Sequence, residues 1–171
     1  ILDIDGSSVA AFEEKPLSPR TTLVSTGCSV LPRSTLPVLV AYAQRHPDDI
    51  GGVFEEFLRR KIGIRAFVFA EYWYDIGSFE AYLEATRAIV RDHTFTAAGS
   101  TMQGVQTSGT VVVGRHCTIV NSHLEDVVLF DGCQVRNCNL SACICDNDCI
   151  LQGIDLRGKM LRKGTRLLQN N

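Results

Sequence analysis

Residues 117–132 read CTIVNSHLEDVVLFDG, and the next two blocks of sixteen, CQVRNCNLSACICDND (133–148) and CILQGIDLRGKMLRKG (149–164), lie over it position for position. Cys117, Cys133 and Cys149 coincide. So do Ile119, Val135 and Leu151, then Leu124, Leu140 and Leu156, then Val128, Ile144 and Met160. Thr165 and Leu167 open a further copy, and Val111 to Val113 match Val127 to Leu129, so the repeat runs in both directions. A period this short has no room for a helix pair. It predicts a solenoid of very short strands joined by turns, each coil stacked on the last, over 111–171. Apolar residues five or six apart send one small or branched side chain inward on each face. The Asn, Asp, Gly and Ser between them supply the turns.

The same register explains the cysteines. Of seven, six lie between Cys117 and Cys149. Their repeat positions make them an inward stack of small hydrophobes, with reduced thiols and a cytosolic setting expected. Cys143 and Cys145 form a Cys-x-Cys, which alternation places on one face of a strand. With no matching second pair it is a weak metal signal, and a disulfide ladder would require strict geometry.

Upstream the periodicity changes. Residues 93–110, HTFTAAGSTMQGVQTSGT, are small, polar and Gly-rich, and are expected to be a linker with an irregular first coil. Residues 1–92 read as mixed α/β. ILDI and VAAFEE flank DGSS, where Asp5-Gly6 signals a hairpin. TLVSTGCSVL (22–31) is a strand candidate and IRAFVFA (64–70) a buried strand. Ser34 is positioned to cap a helix with Leu36, Leu39, Val40 and Ala43 on one face and Pro37 in its first turn. GGVFEEFLRRK (51–61) predicts a second helix facing inward through Phe54, Phe57 and Leu58. Ser78 caps a third, with Phe79, Tyr82, Leu83, Thr86, Ile89 and Val90 on one face.

The 171 residues are 45% hydrophobic with a formal net charge of −2. That supports a packed core and gives no basic field for nucleic acid. No apolar run approaches the ~18 residues of a membrane span. The chain opens on a strand-like run without an initiator Met, so no signal peptide is expected and a truncated or processed front is.

Three short stretches carry candidate chemistry. In FEEKP (12–16), Pro16 ends a strand and leaves Lys15 at its mouth, where α/β sheets bind ligands. Lys15 is a point charge suited to a phosphate and Glu14 an acceptor for sugar hydroxyls; the plain alternative is an exposed ion pair worth little. In STG (25–27), Gly27 either lets a ligand approach the backbone or forms a bulge. In YWYDIGS (72–78), Asp75 stands between a strand and a capped helix. It is placed either to hold Mg²⁺ together with substrate phosphates or to bond turn N–H groups.

FEEKP, then STGCSVLP, then YWYDIGSFEAYLEA, then the solenoid: this ordered set resembles the sugar-1-phosphate nucleotidyltransferases, the pyrophosphorylases that make nucleotide sugars. The family includes glucose-1-phosphate thymidylyl- and adenylyltransferases and mannose-1-phosphate guanylyltransferases. The resemblance implies a partial Rossmann-like nucleotidyltransferase domain at 1–92 and a left-handed, hexapeptide-like parallel β-helix at 111–171. It implies that Lys15 binds the sugar phosphate, Glu14 the sugar hydroxyls, that Gly27 lies near the sugar, and that Asp75 helps hold a catalytic Mg²⁺. The substrates implied are a sugar-1-phosphate and an NTP, with no nucleic acid or membrane partner and a homo-oligomeric state. Two departures stand out. This chain has DIGS where the family often has DIGT, and no G-x-G-x-R-L loop precedes Lys15. The 171 residues alone are therefore expected to be inactive. The alternative is a β-helix module for assembly or regulatory binding without catalysis. Acyl transfer through His116 or His123, the third option, has no signature around either histidine and no use for residues 1–92.

Overall fold

The computed structural model describes residues 1–13, 16–47, 49 and 51–169. They divide into two units, Ile1–Trp73 and Tyr74–Asn171.

The first unit begins with an antiparallel hairpin, β1 (Leu2–Asp5) and β2 (Ser8–Phe12), in which Asp5 faces Ser8 across the Gly6-Ser7 turn. Gly6 has φ +59, as the hairpin signal requires. A short 3-10 turn, Arg33–Thr35, leads into α1 (Leu36–Ala43). Ser34 lies inside that turn, so the capping position falls on Thr35, with Pro37 in the first turn as expected. The next helix, α2 (Gly52–Arg59), buries Val53 and Phe57 and half-buries Phe54, whose ring lies 5.3 Å from that of Phe12. Burying side chains of this size stabilises by roughly 1.5–3 kcal/mol each.

Two expected strands are absent as such among the described residues. Residues 22–31 and 64–70 form no strand, and only Arg65 makes a bridge, to Ser8. Leu23 O accepts the Leu2 N–H and Ile64 O accepts the Val9 N–H, both at 3.0 Å. The two segments therefore flank the hairpin on its outer edges. IRAFVFA is not buried either: Phe67 is 89% exposed. A strand needs ladder partners on its edges and cover on its faces, and the described residues supply only the hairpin.

The second unit is a parallel β-solenoid. Ser78 caps α3 (Phe79–Val90), and its Oγ accepts the Ala81 N–H at 3.1 Å. Then β3 (Thr94–Thr96), β4 (Thr101–Gln103), β5 (Gln106–Val113), β6 (Thr118–Val120), β7 (His123–Leu129), β8 (Gln134–Arg136), β9 (Asn139–Cys145), β10 (Ile150–Gln152), β11 (Asp155–Leu161) and β12 (Arg166–Leu168) stack in parallel. They form two ladders, in the orders β12-β10-β8-β6-β4 and β11-β9-β7-β5-β3. The residues 93–110 thus carry three strands in register with the coil that follows.

The repeat register is the pairing register. Ile119 faces Val135 and Val135 faces Leu151; Leu124 faces Leu140 and Leu140 faces Leu156. The first coils are one residue longer, Met102 facing Ile119 and Thr107 facing Leu124, and a bulge between Ser108 and Val111 restores the sixteen-residue step. Each seven-residue strand turns a corner at its fourth residue, where Asp126 (φ +53), Ala142 (φ +47) and Gly158 (φ +60) stack.

Ile119, Leu124, Val127, Val135, Leu151 and the thiols of Cys133, Cys143, Cys145 and Cys149 form the interior, all at 0% exposure. Val128, Ile144 and Met160 face outward instead. Leu83 of α3 covers Val128 and Ile144, with Phe79 and Tyr82 beside it, whereas Met160, past the helix, is 57% exposed. On α3, Ala85 is buried, Ile89 is 75% exposed and Val90 is half-buried, so the inward stripe is broken at Ile89.

Candidate functional site

Glu14 and Lys15 lie outside the described residues. The strand that leads to them is pinned: the Ile1 ammonium donates to Glu13 O at 2.7 Å, Glu13 N–H donates to Ile1 O at 3.0 Å, and Arg20 approaches the Glu13 carboxylate at 3.6 Å. That ion pair is exposed on both sides and contributes little to stability.

Gly27 sits in a turn at φ +77, with its N–H donating to Ser25 Oγ at 3.3 Å. A Cβ built there meets nothing within 4 Å. The left-handed backbone, not crowding, is what favours glycine at this position, and the space in front of it is open. The neighbours Ser25, Thr26, Cys28 and Ser29 line a cleft of roughly 470 Å³ together with Phe12, Phe54 and Phe57. Sequence reasoning names Gly27 but not this aromatic lining. Its signal is present in the inward stripe of α2 and in Phe12, two residues before Glu14.

Asp75 belongs to the second unit, three residues before the cap of α3, and is exposed. Capping is done by Ser78, so Asp75 does not serve as the helix cap. Among the described residues no group of three or more His, Cys, Asp or Glu side chains could hold a metal ion. One exposed carboxylate does not make a Mg²⁺ site by itself; the ion takes most of its remaining oxygens from water and substrate phosphates.

The seven cysteines are free; Cys28 is exposed and the other six buried. Each column thiol reaches a carbonyl one coil on: Cys117 Sγ to Phe130 O at 3.1 Å, Cys133 Sγ to Asp146 O at 3.2 Å and Cys149 Sγ to Arg162 O at 3.4 Å. The neighbouring Cys117 and burial push the Cys133 thiol up, and burial does the same for Cys143, Cys145 and Cys149. These are packing thiols.

The family model of the nucleotidyl transferases matches residues 2–92. The chain belongs to the nucleotidyl transferase family. It is 35% identical over 89 residues to a glucose-1-phosphate adenylyltransferase of Thermomicrobium roseum, covering 49% of this chain and 20% of that protein. The enzyme of the same name from Thermotoga maritima is 36% identical over 95 residues, 53% of this chain and 22% of its own length. The Clostridioides difficile one is 24% identical over 136 residues, 77% and 35%. This member of the family therefore spans about a fifth to a third of the length of the curated relatives it matches, and the longest of these matches reaches beyond residues 2–92 in extent. No helix among the described residues is long and apolar enough to cross a membrane.

Proposed function

We propose that this chain is the sugar-phosphate side of a sugar-1-phosphate nucleotidyltransferase, joined to a β-helix. The observation that carries the reading is the order of FEEKP, STG and DIGS within the 2–92 family match, with the solenoid following. In the reaction proposed, a phosphate oxygen of the sugar-1-phosphate attacks the α-phosphorus of an NTP, the α–β bridging bond breaks, and pyrophosphate leaves. Positioning and charge stabilisation carry such a transfer. Lys15 neutralises the sugar phosphate, Glu14 accepts from sugar hydroxyls, and the open turn at Gly27 admits the sugar beside Ser25 and Thr26. Asp75 is the carboxylate that this chain offers a divalent ion, Mg²⁺ by the chemistry of phosphate ligands. Reduced thiols suit a cytoplasmic setting.

Calorimetry with glucose-1-phosphate tests the reading. The expected result is binding that Lys15→Ala weakens by roughly ten- to a hundredfold, the loss of one charge-assisted contact. Binding indifferent to Lys15 removes the assignment. Lacking a G-x-G-x-R-L loop, the 171 residues alone are expected to release no pyrophosphate from an NTP and a sugar phosphate. Sustained release would refute that part.

A further inference from the structure

The ladder register stacks the inward side chains of the solenoid in columns. One column runs Thr94, Val111, Val127, Cys143, Lys159. Its three middle members are fully buried. The ends of the columns differ in kind from the middles. At the β3 end, Thr94, Thr96 and Thr107 stand at the positions that Val111, Val113 and Leu124 fill one coil on, and the Thr94 hydroxyl donates to Thr107 Oγ1 at 3.0 Å. At the β11 end, Lys159 stands on Cys143 among the half-buried Leu156, Leu161 and Leu167, and is itself exposed.

A lysine at an inward position breaks the repeat. In an outermost layer it is tolerated, because its stem can lie along the leucines while the ammonium reaches water. In an inner layer it is not. No carboxylate is buried among the described residues, and a charge taken into an apolar interior without a partner is costly. β11 is also an outer strand of its ladder. Such a strand templates further pairing unless something blunts it, and an inward-pointing charge is one of the means.

We propose that Lys159 prevents a second copy of the chain from stacking on the β11 end of the solenoid. Any layer set on β11 in the sixteen-residue step buries the ammonium over Cys143 with no counter-charge. An apolar residue there would instead join Leu156, Leu161 and Leu167 in one apolar end face, whose burial favours association. None of this depends on the sugar-phosphate reading.

Sedimentation equilibrium of the full chain tests it, with far-UV spectra to check that each variant keeps its fold. Lys159→Val puts in the column the residue found at 111 and 127. It should strengthen self-association over the wild type by roughly tenfold or more. Lys159→Glu should match the wild type, because a charge of either sign blocks the layer. Lys163→Val, at an exposed site in the turn after β11, should match it too. Adding Leu161→Lys to Lys159→Val should return association to the wild-type level. If Lys159→Val does not fold, Lys159→Leu is read in the same way. A folded apolar variant that associates no more than the wild type overturns the proposal. So does a Lys159→Glu or Lys163→Val variant that associates as strongly as Lys159→Val.

Discussion

Gly114 shows how closely the coils approach one another. Its N–H donates to Leu129 O at 2.7 Å, and a Cβ there would lie 2.6 Å from the Phe130 carbonyl carbon and 2.8 Å from Asp131 N. Those neighbours are backbone, so Gly114→Ala must displace a coil; we expect a loss of about 1–3 kcal/mol in a urea melt. Asp126 works differently. Burial raises its carboxyl pKa, but the Thr110 N–H at 3.0 Å and the Arg87 guanidinium, also at 3.0 Å, outweigh it and hold the group below the usual carboxylate range. A lowered native pKa stabilises the fold above the unfolded value, near ~4, and this contribution is lost as pH falls through the native value. Asp126→Asn should therefore flatten the fall in Tm between about pH 6 and about pH 3. Neither role is legible in the sequence. Gly114 falls outside the aligned blocks, and Arg87 meets Asp126 only because α3 lies on the solenoid.

Among the elements, α3 is legible almost whole. Ser78, the helical spacing and Leu83 all behave as the pattern implies, because capping and amphipathic burial are local in cause. Ser78→Ala should cost about 1 kcal/mol, read as a lower Tm of the second unit. The pattern fails at Ile89, since how far a helix stays covered depends on the width of the sheet beneath it. It fails for a related reason in the two segments flanking the hairpin. Apolar composition predicts a strand, but strand identity belongs to a pair of segments.

Across the full chain, burial is uneven. In the first unit the described buried apolar side chains are Val9, Val53 and Phe57, whereas the solenoid interior runs from Val111 to Leu151. Heating should give two transitions, the hairpin–helix unit melting first; a single coincident transition by far-UV signal and tyrosine fluorescence would contradict this. Thiol labelling checks the same asymmetry: Cys28 should react in the native chain and the six solenoid cysteines only after unfolding. The order of residues is enough to specify the solenoid, its sixteen-residue step and which residues stack, because a short period leaves one register that sets like positions on like. It is enough, too, for α3 and the hairpin turn, whose causes lie within a few residues. Three outcomes come from the folded arrangement instead: Val128 and Ile144 face outward under a helix, the first coils are a residue longer, and 22–31 and 64–70 form no strand. Those outcomes depend on what lies across from a residue, and covering surfaces and ladder partners come from segments far apart in the chain.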